Sequence, residues 1–240
     1  KRFAVPRACL AFLARHAASF ASLVLGDAIP LYARLVKLTT HTNTDIKKYA
    51  FAALDALVDI VVDDLAHGPS ASALGLDGLH YFMQVFLGLV DSSRSASAAE
   101  LAFAIRSCGK MTRPMLAAHG APDQVDKVLA KIFELSAKVI DPSRSTESIV
   151  VLIPSFLWAY ASALDVLPTV HAVMLAELER VIGVGLLAFP RLWPRQRETL
   201  VLAFSSLFLA LYYKGAALSA LLDRVVYQGL WITCSSRAAL

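Results

Sequence analysis

The chain has 240 residues, 57% of them hydrophobic and 18% charged, and a mean hydropathy of +0.59. This length is enough to bury a sizeable core. Its formal net charge of +4 is too small an excess to establish a nucleic-acid surface by itself. The three cysteines, Cys9, Cys108 and Cys234, are widely spaced and odd in number, which excludes a disulfide framework or a cysteine metal site. We expect them to be small core residues in a reducing compartment.

The apolar composition raises the alternative of a helical membrane protein. The longest uninterrupted apolar runs, 149–164 and 200–213, are shorter than the roughly 18 to 20 residues that cross a bilayer. Residues 170–189 form a longer run, but they carry charged residues at its centre. We therefore expect no membrane association. The chain starts at Lys1 and has no signal-peptide pattern, so we expect a piece of a longer protein.

The first 39 residues predict two helices. A helix from Pro6 to Leu25 would have its proline in the first turn and would stop at Gly26. A second helix follows from Pro30 to about Thr39. Together they predict one helical hairpin.

The stretch 41–64 gives the strongest helix signal in the chain. Thr42 and Asp45 have capping-box spacing, and Asn43 and Thr44 are further cap candidates. Apolar residues then recur every three or four positions, which predicts a helix with one buried face. These residues are Ile46, Tyr49, Ala50, Ala53, Leu54, Leu57 and Val61.

The rest of the chain predicts further helices separated by short breaks. A loop rich in Gly, Ser and Ala follows at 67–75, and Ser97 with Glu100 repeats the capping-box spacing. We expect Pro114 to kink or interrupt its helix. The predicted helices are 76–90, 97–119, 122–140, 146–164, 168–189, 195–213 and 216–234.

The fold class predicted from this pattern is all-α, because no segment indicates a β-hairpin or a βαβ unit. If the helices pair in order, the first helix of each pair starts near residues 6, 43, 97, 146 and 194. The spacing brackets the roughly 40 to 47 residues of two-helix HEAT-type repeats. This favours an α-solenoid of HEAT/armadillo-like hairpins, in which residues 1–240 form a single segment of about five helix pairs.

Five colinear blocks carry a family resemblance. They are HTNTDIKKYAFAALDAL, LHYFMQVFLGLV, ELAFAIRSCG, IPSFLWAYASALDVLPTV and LLDRVVYQGLWITCS. In this order they are similar to the N-terminal HEAT-repeat arm of the DNA-dependent protein kinase catalytic subunit family, over roughly residues 35–237. Two segments depart from the family: residues 68–76 are a low-complexity stretch, and residues 110–120 keep little of the family pattern.

The resemblance implies a non-catalytic part of a large nuclear serine/threonine kinase of double-strand-break repair by non-homologous end joining. It implies a curved arm that helps to cradle a double-stranded DNA end together with the Ku heterodimer and the remainder of the same large chain. A general HEAT or armadillo protein-binding scaffold is the second alternative, and a helical membrane protein is the third.

No catalytic, cofactor-binding or metal-binding residue is predicted. The chain has no Gly-rich loop followed by a strand lysine, no HRD-type loop and no DFG motif, so we expect no enzyme activity from this segment. Asp55, Asp59 and Asp63, with Asp64 after them, predict a solvated acidic face, because a straight row does not surround a cation. Ser155 lacks the context of a nucleophile.

Two basic sets are candidate contacts for DNA or a partner. Lys47 and Lys48 are predicted at a helix start, where backbone N–H groups also favour phosphate. Arg106, Lys110 and Arg113 have the spacing of a basic ridge on one helix. The alternative for both sets is an ordinary solvated helix face.

A third candidate set surrounds an aromatic residue. Arg191, Arg195 and Arg197 lie beside Trp193, a combination of cation and aromatic ring that could stack on a base or a peptide. The alternative is a capped corner between two helices.

Overall fold

The computed structural model describes residues 3–68, 70–91, 97–119, 122–140, 146–167 and 172–214. Within these ranges every regular element is helical, which confirms the all-α prediction. The α-helices are α1 (Ala4–His16), α2 (Ala21–Gly26), α3 (Ala28–Thr39), α4 (Thr44–Ala66), α5 (Gly75–Asp91), α6 (Ala98–His119), α7 (Pro122–Val139), α8 (Thr146–Val166), α9 (Ala172–Ala188) and α10 (Pro194–Tyr213). The predicted helix 216–234 and Cys234 lie outside the described residues.

The first predicted helix is divided into three pieces. A 3₁₀ turn, Ala17–Phe20, separates α1 from α2. The residues that precede the 3₁₀ turn and α2, His16 and Phe20, have φ values of −122° and −124°, outside the helical range. Neither glycine nor proline marks this break, so sequence signals for a helix end gave no indication of it.

The stretch Ala4–Gly26 is long and apolar enough to cross a membrane, judged by length and composition alone. Only 17% of its most apolar window is buried. The prediction from uninterrupted runs missed this stretch because Arg7 and Arg15 interrupt it. One such helix is weak evidence, since core helices and signal sequences pass the same test.

The chain divides into two compact units, and the first contains Lys1–Val85 with Arg113–Ala121. Its central element is α4, about 35 Å long at 1.5 Å per residue, which packs against α1 and α3. The predicted stripe is buried, except that Tyr49 is half-buried. Burial extends to residues beyond that stripe, because α4 has neighbours on more than one side. These further residues are Val58, Ile60, Val62 and Leu65.

Two contacts give the direction of α1 relative to α4. The Phe3 ring lies 5.3 Å from the His41 ring, edge to face, and Arg7 Nη1 donates to Asp45 Oδ2 over 3.2 Å. Both contacts join the start of α1 to the start of α4, and α2 also contacts α4. The N-terminal segment therefore runs beside α4 in the same direction.

The connection between α4 and α5 is organised by Asp64. Its carboxylate accepts hydrogen bonds from Ser72 Oγ at 2.6 Å and from the backbone N–H groups of Ala73 and Leu74. Ser72 Oγ in turn accepts from the N–H of Gly75, which has φ +61°. The prediction of a solvated acidic face was wrong for Asp64, which is half-buried and holds the loop.

The second unit contains Phe86–Thr112 and Pro122–Leu240, and α8 is its central helix. This helix contacts α7, α9 and α10. Gly109 of α6 also approaches it so closely that a methyl group there would lie 2.5 Å from Ala159 Cα. The fully buried side chains of α8 include Leu152, Phe156, Tyr160 and Leu164.

Pro114 lies inside α6, which continues to His119. The helix is therefore not interrupted at Pro114, and a kink there stays a prediction. A proline removes one hydrogen bond from the helical ladder, while Met111 and Met115 on either side of it are buried and hold the helix by packing. One turn earlier, Thr112 Oγ1 donates to the Gly109 carbonyl over 2.6 Å.

Candidate nucleic-acid interface

The start of α4 carries the first pair of candidate contacts. Asn43 is the N-cap, since its Oδ1 accepts from the Ile46 N–H at 3.1 Å, so the cap is Asn43 and not Thr42. Lys47 and Lys48 follow in the first two turns, and both are exposed. The helix dipole adds positive potential at this end.

The charge at this helix start is partly offset by an acidic residue. Asp45 lies in the first turn of α4 and pairs with Arg7, and both side chains are more than half exposed. An exposed pair of this kind contributes little to stability. Lys47 and Lys48 have no ion-pair partner among the described residues. Neither lysine has a described counter-charge at this end of the unit, and Lys48 Nζ lies 6.0 Å from the Tyr49 ring centroid.

The second set, on α6, is not a uniform exposed ridge. Arg106 is half-buried and its Nη1 donates to Ser155 Oγ of α8 at 3.1 Å. Ser155 is buried and donates to the Val151 carbonyl, so it serves packing between helices. Lys110 is half-buried, while Arg113 is exposed. A contact of these three basic residues with DNA stays a prediction.

The third set forms the corner between α9 and α10. Arg197 Nε and Nη2 donate to the carbonyls of Leu192 and Pro190, each at 2.9 Å, and its guanidinium lies 5.6 Å from the Phe189 ring centroid. Arg197 therefore braces the 3₁₀ turn Phe189–Arg191. This matches the alternative of a capped corner for Arg197.

The other members of this set point to solvent. Arg191 and Arg195 are exposed, and their guanidinium groups make no hydrogen bond or ion pair with other described residues. The Trp193 side chain is 76% exposed. Arg197 therefore has a structural role at this corner, whereas the Trp193 indole and the guanidinium groups of Arg191 and Arg195 are exposed.

A partly buried polar network joins α7 to α9, and sequence reasoning missed it. Arg180 of α9 makes a bidentate pair with Glu177, with Nε to Oε2 at 2.9 Å and Nη2 to Oε1 at 2.6 Å. It also donates to Ser136 Oγ at 2.7 Å and to the Ile140 carbonyl at 2.9 Å. Ser136 donates to Glu177 as well. The hydrogen bond to Glu177 raises the pKa of Arg180 above its ordinary value.

The available sequence signal for this network was the three-residue spacing of Glu177 and Arg180. Glu177 and Arg180 are among the charged residues at the centre of the apolar run 170–189. The partners on α7 carry no local signal, because they meet α9 through tertiary packing.

A small charged cleft lies beside α7. Asp91 pairs with Lys131 at 2.8 Å, and Glu134 pairs with Lys138 four residues on. The hydrogen bond from Lys138 lowers the pKa of Glu134. The cleft is about 70 Å³, well below the roughly 300 Å³ at which small-molecule pockets begin.

Two cysteines, Cys9 and Cys108, lie in the described ranges. Burial, with a smaller contribution from Asp91, raises the pKa of Cys108 to about 12, so its thiol stays protonated at neutral pH. Cys9 is exposed, which corrects its prediction as a core residue. Among the residues that the structure describes, no group of three or more His, Cys, Asp or Glu side chains could hold a metal ion.

Comparisons with known proteins place the chain in a family. The family described as "DNA-PKcs, N-terminal" matches residues 1–240. The DNA-dependent protein kinase catalytic subunits of Xenopus laevis and Mus musculus are 31% and 32% identical to it over 241 residues, and that of Dictyostelium discoideum is 28% identical over 236 residues. These matches cover 98% to 100% of the chain.

The chain spans only 5% to 6% of the length of these relatives. Their name describes a protein kinase that depends on DNA, and the part that matches is the N-terminal, non-kinase region. The resemblance inferred from the five sequence blocks is thereby confirmed. The chain belongs to the family of DNA-PKcs N-terminal regions.

Proposed function

We propose that this chain is a non-catalytic helical-repeat scaffold that supports DNA-end and Ku binding in double-strand-break repair by non-homologous end joining. The observation that carries the proposal is the match of all 240 residues to the N-terminal family of a DNA-dependent kinase. In this proposal the protein acts in the nucleus, and the kinase chemistry belongs to other parts of the longer protein.

The proposed architecture is an α-solenoid of about five helix pairs. Two features support it. In the first unit α4 packs against α1 and α3, and in the second unit α8 packs against α7, α9 and α10. A helix that shares its apolar surface with neighbours on more than one side is typical of stacked helical repeats.

The proposed DNA contact is electrostatic and independent of sequence. Lys47 and Lys48 are its leading residues, because both are exposed and unpaired at a helix N-terminus. Arg113 and Arg195 are further exposed candidates. Lys and Arg side chains that neutralise phosphates release counterions, so such binding weakens as salt is added.

The test is binding of the chain to a short blunt DNA duplex at two salt concentrations. Two phosphate contacts give a slope of about −1.8 in log affinity against log salt, which is about a tenfold loss between about 50 and 200 mM. The variant Lys47→Glu with Lys48→Glu should bind more weakly and lose most of that salt dependence.

The matched control is Arg15→Glu with Lys127→Glu, which removes the same amount of positive charge at two exposed residues elsewhere. If both double variants weaken binding equally, net charge and not the start of α4 determines affinity. Unchanged affinity in the Lys47 and Lys48 variant would remove these two residues from the interface. Absence of any salt-sensitive DNA binding would favour the alternative, a general HEAT/armadillo protein-binding scaffold unrelated to DNA repair.

A further inference from the structure

The most exposed large aromatic side chains in the second unit include Trp193, at the corner that leads into α10. An indole is normally largely covered in a folded protein, yet this one is 76% exposed. Its ring makes no hydrogen bond or ring contact with other described residues. The indole plane is therefore available to a partner.

The backbone that carries this indole is fixed. The Trp193 N–H donates to Gln196 Oε1 at 2.9 Å, and the Trp193 carbonyl accepts from the N–H groups of Gln196 and Arg197 at 2.9 and 3.0 Å. Arg197 also braces the two carbonyls of the preceding turn. A partner that binds the ring would therefore need to order little of the protein, which favours affinity.

The charge around the indole indicates an anionic partner. Residues 189–199 contain three arginines and one acid, Glu198. Arg191 and Arg195 lie two residues before and after the tryptophan, and both are exposed, with guanidinium groups that have no hydrogen-bond or ion-pair partner in the described part of the chain. A flat aromatic surface beside exposed cations suits a nucleotide, whose base stacks on the ring while its phosphate meets a guanidinium group.

The state of the nucleic acid follows from the same geometry. In a duplex the bases are stacked inside the helix and offer no free face, whereas an unpaired strand presents its base planes. An acidic peptide would use the arginines but would leave the indole plane without a comparable stacking partner. The observations therefore favour single-stranded nucleic acid.

We propose that Trp193, Arg191 and Arg195 bind the unpaired nucleotides of a single-stranded overhang at a DNA end. This inference rests on the proposed function for the identity of the nucleic acid, and it adds a contact that a blunt duplex lacks. Trp193 supplies base stacking, and the two arginines supply contacts to phosphates.

The experiment measures binding of the chain to three duplexes that differ only at one end. The first is blunt, the second has a short oligothymidine overhang, and the third has an overhang of abasic sites that keeps the phosphates. We expect Trp193→Ala to weaken binding to the oligothymidine overhang by about 5- to 140-fold, the range for loss of one stacked base. Binding to the blunt and abasic forms should be unchanged.

The matched control is Tyr213→Ala, which removes a side chain that is also 76% exposed, at the other end of α10. It should affect none of the three duplexes. Trp193→Phe should keep part of the overhang affinity, and circular dichroism confirms that each variant keeps its helices. Arg191→Gln with Arg195→Gln should reduce the salt slope for both overhangs by about 1.4, or about 0.7 for each phosphate contact.

Three results would overturn the proposal. One is no effect of Trp193→Ala on the oligothymidine overhang, and another is an equal loss for blunt and overhanging duplexes. The third is an equal loss of affinity for a polyglutamate peptide, which would identify an acidic-peptide site. If the overhang is bound through Trp193 while the blunt duplex is not bound, the inference holds and the proposed duplex contact fails.

Discussion

The network of Arg180 with Glu177 should stabilise the second unit by a measurable amount. The substitution Arg180→Met keeps most of the aliphatic stem but removes the guanidinium group. It leaves the Glu177 carboxylate, whose side chain is 15% exposed, without its cation, and it removes the donor to the Ile140 carbonyl. The folded state therefore loses a charge pair and a contact between α9 and α7.

The expected magnitude follows from the exposure of the pair. Removing one partner of a buried ion pair costs about 3–5 kcal/mol. The Arg180 side chain is 35% exposed, so solvent screening reduces the cost, and we expect a loss of about 2–3 kcal/mol in the free energy of unfolding. Adding Glu177→Gln should recover about 1–2 kcal/mol, because the unpaired carboxylate charge is then gone.

The assay is urea unfolding followed by circular dichroism for the parent, the two single variants and the double variant. The control is Lys138→Met, which breaks the exposed pair with Glu134 and should leave the unfolding midpoint nearly unchanged. A loss below about 0.5 kcal/mol for Arg180→Met, or additive effects of the two substitutions, would contradict a stabilising ion pair between Arg180 and Glu177.

Three further predictions concern packing, the loop after α4 and the thiols. Gly109→Ala should destabilise the protein by about 1–3 kcal/mol in urea unfolding, because the added methyl would press on the α8 backbone. The control Gly183→Ala, with open space at its Cβ position, should be neutral or slightly stabilising. Equal effects of the two substitutions would contradict the close packing of Gly109 against α8. Asp64→Ala should speed hydrogen exchange of the loop amides, since it removes their acceptor, and unchanged exchange would contradict that role. A thiol reagent at mildly alkaline pH should label Cys9 and spare Cys108, whose pKa of about 12 keeps it protonated, as peptide mass spectrometry can verify.

Local signals were sufficient to predict several helices and their ends. The stretch after His41 was predicted from its cap candidates and apolar spacing, and α4 begins at Thr44. The capping box of Ser97 and Glu100 is confirmed, with the Ser97 N–H donating to Glu100 Oε2 at 2.8 Å. Such features depend on residues within one turn, so the sequence carries them directly.

Features that depend on tertiary partners were not predictable in the same way. The 3₁₀ turn Ala17–Phe20 has no glycine or proline, and the role of Asp64 depends on a loop eight to ten residues later. Spacing placed Arg106 on a candidate basic face but could not reveal Ser155 on another helix as its partner. The hydrogen-bond partner of a long polar side chain depends on which helices pack together, and the periodicity of one helix does not predict that.

The proposed role of this helical segment is to support binding at DNA ends. The most direct measurement compares the affinity of the chain for a short duplex with free ends and for the same duplex with both ends closed by hairpin loops. We expect tighter binding to the duplex with free ends, with a loss of affinity as salt rises from about 50 to 200 mM. Equal affinity for the two duplexes, or no salt-sensitive binding to either, would contradict it.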